Sequence, residues 1–236
     1  MTKAAGKPPD VDTLVATLRR MGTQRNREGM ARYAIPSERA FGVPMGKIQA
    51  LARRIGMQPK LAEALWKTGW YEARLLAAYV ADPERVTPAQ MDRWCRDFDN
   101  WAICDTVCFQ LFDKTPHALR KVREWAGKKE EFVRRGAFAL LASVALHDKG
   151  VRDEAFVRCL PLVGRHASDE RNFVKKGVSW ALRSVGRRSR ALHEKSVALA
   201  RRLVASEDAT ERWVGKVALA DLTRPAVVHR LRGRKN

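Results

Sequence analysis

The sequence is poor in several things at once, and each shortage removes a class of protein. It has four cysteines in 236 residues, Cys95, Cys104, Cys108 and Cys159, and none forms a C-x-x-C pair. That argues against a disulfide scaffold and against a zinc ribbon or finger. The five histidines are scattered, with none at ligand spacing from a cysteine and no Ser-His-Asp pattern. No segment alternates apolar and polar residues for long, and no Asn-Gly hairpin signal occurs, so strands are not expected. The longest apolar run, Ala137 to Leu146, is about half of what a membrane span needs. Met1 to Asp10 contain no apolar stretch of the kind a secretory signal carries.

Acidic residues are also scarce. Asp and Glu total 26 against 46 Lys and Arg, a formal charge of +20 with pI near 10.6. An excess of that size points to an anionic macromolecular partner, and nucleic acid is the simplest. Hydrophobic residues reach 45%, enough for a sizeable packed core. The expectation is a globular cytoplasmic protein that meets nucleic acid, with reduced, buried thiols. Cys104 and Cys108 share a helix face and could bridge a metal, but buried thiols are the favoured reading.

The chain reads as helices throughout. Residues 1–9 are polar and marked by Pro and Gly, as in a loose arm. Asp10 caps a first helix with Val11, Leu14, Val15 and Leu18 on one face and Gly22 beyond it. A basic stretch, Arg25 to Arg32, leads to Tyr33, and Gly42-Val43-Pro44 makes a turn. One helix follows to Gly56, and another runs from Pro59 to Gly69. Then a pattern recurs. Trp70 to Val80, Trp101 to Phe112, Phe132 to Leu146, Phe173 to Val185 and Trp213 to Leu222 each open on an aromatic and mix small with aliphatic residues. Their openings are 31, 31, 41 and 40 residues apart. Between them lie Pro88 to Phe98, Pro116 to Trp125, Glu154 to Val163 and Leu192 to Val204; Thr87-Pro88 and Thr115-Pro116 read as a cap followed by a first-turn proline. A helix-pair period of this length is the mark of an α-solenoid of HEAT or armadillo type. The spacing predicts one repeat domain over 10–225. A basic tail at 226–236 carries Arg230, Arg232, Arg234 and Lys235.

One stretch stands out, Asn100-Trp101-Ala102-Ile103-Cys104-Asp105-Thr106-Val107-Cys108-Phe109. Asn100 caps the helix. Trp101 and Asp105, four apart, share a face with Cβ atoms roughly 5–6 Å apart. A lone carboxylate in so apolar a run is costly to bury unless a cation answers it, either an Arg of the chain or a positively charged ligand. Two repeats also carry adjacent basic residues, Phe132-Val133-Arg134-Arg135-Gly136 and Phe173-Val174-Lys175-Lys176-Gly177, offset by 41. Stacked repeats are expected to align them as a basic stripe that grips phosphates. Trp66, Trp70, Trp94, Trp125 and Trp213 read as packing aromatics.

Taken in order, Met30-Ala31-Arg32-Tyr33, Trp101-x-x-x-Asp105, Phe-Val-Arg-Arg135 and Phe-Val-Lys-Lys-Gly-Val-Ser-Trp180-Ala-Leu-Arg resemble the AlkD-type DNA glycosylases of the DNA alkylation repair family. The likeness runs from about Met30 to about Leu222. It implies an all-α, HEAT-like solenoid holding duplex DNA in a concave basic groove. The implied activity is excision of cationic N3- and N7-alkylated purines with little or no base flipping. It maps the catalytic acid to Asp105, active-site tryptophans to Trp101 and Trp180, and a backbone-contacting arginine to Arg135; Tyr33 matches more weakly. Asn100 stands where the family pattern has a further aromatic. A base alkylated at N3 or N7 is already cationic and leaves without a general acid. A carboxylate near C1′ then stabilises the oxocarbenium-like sugar and orients a water. At about 4 Å and an effective dielectric near 20, that interaction is worth roughly 4 kcal/mol, about three decades of rate. No lysine in the motif is placed for a Schiff base, so a monofunctional, monomeric hydrolase without metal or cofactor is expected. The alternative is a non-catalytic HEAT-like DNA-binding or scaffold protein, and Asp105 separates the two, since a pure DNA binder gains nothing from a carboxylate facing phosphates.

Overall fold

The computed structural model describes residues 10–232. The arm expected at 1–9, and Arg234 and Lys235 of the tail, lie outside them. The regular structure of the described residues is all helix, with no strand. No helix among them is long and apolar enough to cross a membrane. Packing divides the chain into two compact units, one reaching Leu111 and the other starting at Phe112.

The first unit contains α1 (Val11–Met21), α2 (Gln24–Gly29), a 3₁₀ turn at Met30–Tyr33, α3 (Met45–Ile55), α4 (Pro59–Lys67), α5 (Tyr71–Val80), α6 (Pro88–Arg96) and α7 (Trp101–Gln110). Local signals set most of these boundaries. Asp10 accepts the Thr13 amide at 2.8 Å, Thr87 accepts that of Gln90 at 3.2 Å, and Asn100 accepts that of Ile103 at 3.0 Å. Helix α5 packs against α3, α4 and α7. Trp66 stacks flat on Trp94 with centroids 4.1 Å apart, and Phe98 meets Trp66 edge-on. Both tryptophans are core, as read from the sequence. Trp70 differs: it is half-buried just before α5, stacked on Phe41, with the Arg19 and Arg39 guanidinium groups 5.8 and 5.6 Å from its ring.

A buried acid organises the loop in front of α3. Glu72 of α5 is 0% exposed, and its carboxylate accepts the amides of Phe41, Gly42 and Val43 at 3.0, 2.7 and 3.1 Å. The loop turns at Gly42, where φ is 76°; a Cβ there would sit 2.4 Å from the Thr23 carbonyl oxygen. Gly42 in turn accepts the Thr23 amide at 3.2 Å. So Glu72 holds the loop, and the loop holds the start of α2 through Thr23 and Asn26.

The second unit contains α8 (Ala118–Ala126), α9 (Glu131–His147), α10 (Asp153–Val157), α11 (Leu160–Arg165), α12 (Asn172–Gly186), α13 (Arg190–Val204), α14 (Ala209–Leu222) and α15 (Pro225–Arg232). Helix α9 packs on α8 and α12, and α12 packs on α13 and α14. The 41-residue offset shows in the packing: Phe132 and Phe173 lie 5.3 Å apart, equivalent positions of neighbouring repeats.

Three readings need correction. The helix expected from Pro116 begins at Ala118: Thr115 is buried, its hydroxyl bonds back to the Phe112 carbonyl, and its own carbonyl takes the Ala118 amide. The helix expected over Glu154–Val163 is two, α10 and α11. Pro161 has no N–H for the Val157 carbonyl, so the ladder breaks just before it. The segment read as a tail starts within α15, which buries Val227 and Leu231.

Candidate active site and nucleic-acid interface

Helix α7 buries Ala102, Ile103, Cys104, Val107 and Cys108 and leaves Trp101, Asp105 and Phe109 half-exposed. These three are spaced by four, so they form one stripe, partly open to solvent. Asn100 is 2% exposed, caps the helix and donates to Asp99 at 2.6 Å, which sets the start of the stripe. The Trp101 indole is fixed by a second bond: its Nε1 donates to the Tyr33 carbonyl at 2.7 Å. Tyr33 itself is 66% exposed. The first unit therefore brings Tyr33, Trp101 and Asp105 together, although they are far apart in sequence.

The thiols behind this stripe are closed off from solvent. All four cysteines are free and buried. Burial, then a hydrogen bond with Cys104, then neighbouring charge including that of Asp105, push the Cys108 thiol well above its ordinary value.

In the second unit the basic pairs are not the exposed stripe expected from the sequence. Lys176 is exposed. Lys175 is half-buried, with its ammonium 5.3 Å from the Trp213 ring centroid. Arg134 is paired with Asp169 at 2.6 Å, and Asp169 also holds Arg171. Arg135 is 6% exposed; its Nη1 donates to the Phe173 carbonyl at 2.7 Å, and its stem runs beneath Gly177. The reason is helical geometry: neighbours in sequence point about 100° apart, so both members of an adjacent pair cannot share one open face. Trp180, on the same helix as the lysines, is half-buried. Burial raises the Asp169 carboxyl, but hydrogen bonds from Arg171 and Arg134 outweigh it and bring it down to about 2.

The structure does assemble a Ser–His–Asp group that sequence spacing did not suggest. Asp113 Oδ2 receives both the Ser143 hydroxyl at 2.5 Å and His147 Nδ1 at 2.6 Å. Two features exclude a nucleophilic triad. Ser143 is 0% exposed, and serine and imidazole bond the same carboxylate oxygen instead of forming a relay. The group ties the turn at Phe112–Lys114 to α9. Its members are 30 and 34 positions apart, so no local pattern announces it.

The family model for the DNA alkylation repair enzyme matches residues 14–222. The chain belongs to this family. The match includes Tyr33, the α7 stripe and all of α12. A solved structure described as "a new family of proteins related to the HEAT-like repeat DNA glycosylases with affinity for branched DNA structures" shares the fold. Its TM-score is 0.75 at 21% identity, over 88% of this chain and 93% of that one. An engineered protein of solved structure aligns with a TM-score of 0.41 at 15% identity, over 77% of this chain and 51% of that one. No curated protein matches in sequence.

Proposed function

We propose that this member of the family is a monofunctional alkylpurine DNA glycosylase acting on duplex DNA, with cationic N3- and N7-alkylated purines such as 3-methyladenine and 7-methylguanine as substrates. The observation that carries the reading is the half-open Trp101–Asp105 stripe, with the indole locked on the Tyr33 carbonyl. In the proposed reaction the bond from C1′ to the base nitrogen breaks, and its electron pair neutralises the cationic base. The Asp105 carboxylate faces the positive charge left on the sugar. A water then adds to C1′ and gives up a proton, with Asp105 as its first acceptor. The indole face of Trp101 holds the cationic partner, a contact worth about 0.5–2 kcal/mol. Trp180, in the second unit, takes the corresponding role that the family resemblance assigns it.

The chemistry requires no metal or organic cofactor, because the leaving base arrives already charged. Lys176 and Lys175 serve as phosphate contacts. Arg134 and Arg135 join them only if DNA draws them from Asp169 and the Phe173 carbonyl. The protein works as a monomer, as one repeat domain over 10–225, on DNA in the cytoplasm. The test is single-turnover release of 7-methylguanine from methylated duplex DNA. Release by the wild-type chain that collapses in Asp105→Asn supports the reading; no release by either removes it.

A second reading has its own support. The solved relative is described by affinity for branched DNA, and two of the four basic candidates are engaged inside the second unit. On that reading the chain binds branched DNA without excising bases. Tighter binding to a junction than to a duplex, with no base release, favours it.

A further inference from the structure

Helix α13 carries two stripes. Leu192, Ser196, Ala200 and Leu203 turn inward and are buried. A second stripe, Lys195, Ala198, Leu199 and Arg202, follows the i, i+3, i+4, i+7 spacing on an adjacent face. It borders a groove of about 1040 Å³, closed on its other side by Val157 and Leu160 of α10 and α11 with Pro161. Gly164 leaves the floor low, with the Arg202 guanidinium lying across it. Leu199 and Val157 are half-buried and Ala198 is exposed. Arg165, Lys195 and Arg202 stand exposed on the rim, and none of the three is in an ion pair among the described residues. Glu211 is the one acid lining the groove.

We propose that this groove docks an acidic amphipathic helix of a partner protein, its aliphatic face laid on Leu199 and Val157 and its carboxylates on the basic rim. The alternatives fit less well. Phosphates leave an aliphatic floor unsatisfied, and the lining has no aromatic on which a base could stack. Residues 1–9 and 233–236 are basic, with Lys3, Lys7, Arg234 and Lys235 and no acid. A second copy would bring another +20 against the same rim. The volume suits several side chains of a docked helix, at or above the upper end of small-ligand pockets, about 300–1,000 Å³. None of the lining residues comes from α9 or α12, which carry Arg134, Arg135, Lys175, Lys176 and Trp180. The docking therefore does not depend on what the acid of α7 does.

The experiment selects displayed random peptides of roughly 16 residues, about four helical turns, against the full chain, then measures the best synthetic peptide by fluorescence anisotropy. Enriched peptides should carry Asp and Glu with Leu or Phe at helical spacing. Ala198→Trp fills the groove from an exposed helical position that tolerates the change. It should weaken the peptide by about tenfold or more, and Lys195→Glu with Arg202→Glu by a similar factor. Both proteins should keep wild-type melting and duplex-DNA affinity. No enrichment, acid-poor peptides, or affinity indifferent to Ala198→Trp overturns the proposal. So does a loss of duplex binding in Ala198→Trp, which assigns the groove to nucleic acid, or a dimer in sedimentation that the same change dissolves, which assigns it to a second copy.

Discussion

The Trp101 indole donates to the backbone carbonyl of Tyr33, at 2.7 Å and across 68 positions of sequence. Because the acceptor is main chain, the Tyr33 side chain takes no part in the bond and stays 66% exposed. The two aromatics can therefore be separated by mutation. Tyr33→Ala should leave Trp101 in place and melting within about a degree, since an exposed ring contributes little. Trp101→Phe removes the donor, should cost about 1 kcal/mol, and should lower excision because the ring loses its fixed orientation. Thermal melting beside single-turnover excision checks both. Strong destabilisation by Tyr33→Ala would show that the ring packs more than its exposure allows.

Asp105 decides the function class. Asp105→Asn preserves shape and removes charge, so excision of 7-methylguanine should fall by roughly two to three decades, the size of the Coulomb interaction lost. Binding to duplex should hold or tighten, since a negative charge is gone. If the acid instead serves a structural arginine, its loss strands that cation at about 3–5 kcal/mol and the protein melts early. Near-wild-type excision by a stable mutant removes Asp105 from the mechanism.

The basic residues should behave unequally. Lys176 is exposed, so Lys176→Ala should weaken binding to all sequences alike and flatten the log–log salt dependence by about 0.9. Arg135 is buried and bonded to the Phe173 carbonyl. Arg135→Ala should cost about 1–3 kcal/mol of stability through the lost packing of its buried stem and the lost guanidinium hydrogen bond, since the Phe173 carbonyl keeps its helical partner within α12. Salt titrations of binding with melting curves distinguish the two behaviours. An unchanged slope in Lys176→Ala would take Lys176 out of the interface.

Asp169 links stability to pH. Its carboxyl is held near 2 by Arg171 and Arg134 against the opposing effect of burial. A depressed acid contributes stability that is full above the unfolded value, near 4, and is lost as pH falls through the folded value, near 2. The contribution, after solvent screening, is on the order of 1–2 kcal/mol. Asp169→Asn should therefore lower stability at pH 7 and flatten the acid limb between about pH 4 and 2. Urea unfolding at several pH values measures it, and an identical acid limb in the mutant rejects the assignment.

Glu72 is the strongest stability prediction. Its carboxylate alone receives the three amides of residues 41–43. Glu72→Ala leaves buried donors unmet and should cost about 3 kcal/mol or more. Because Phe41 of that loop stacks on Trp70, the mutant should also expose Trp70, seen as a red shift in tryptophan emission. A native-like melt denies Glu72 this role.

What the sequence determined by itself is what short spans can encode. Asp10, Thr87 and Asn100 cap the helices they were expected to cap, because a cap is a bond between residues three apart. The four-residue spacing put Trp101 and Asp105 on one stripe, and the 41-residue offset brought Phe132 beside Phe173. The order of short motifs was enough to name the family. Only the tertiary structure decided which member of each basic pair faces outward, that Glu72 captures the loop at 41–43, and that the Trp101 indole finds the Tyr33 carbonyl. It also decided that Asp113, Ser143 and His147 meet, a buried acid and serine tied to an exposed imidazole. Each of these depends on which helices pack and how each is rotated about its axis. A helix rotates by about 100° per residue, so a shift of one position moves a charged side chain from solvent into a neighbour. No local window contains that rotation; the long-range packing of the core sets it.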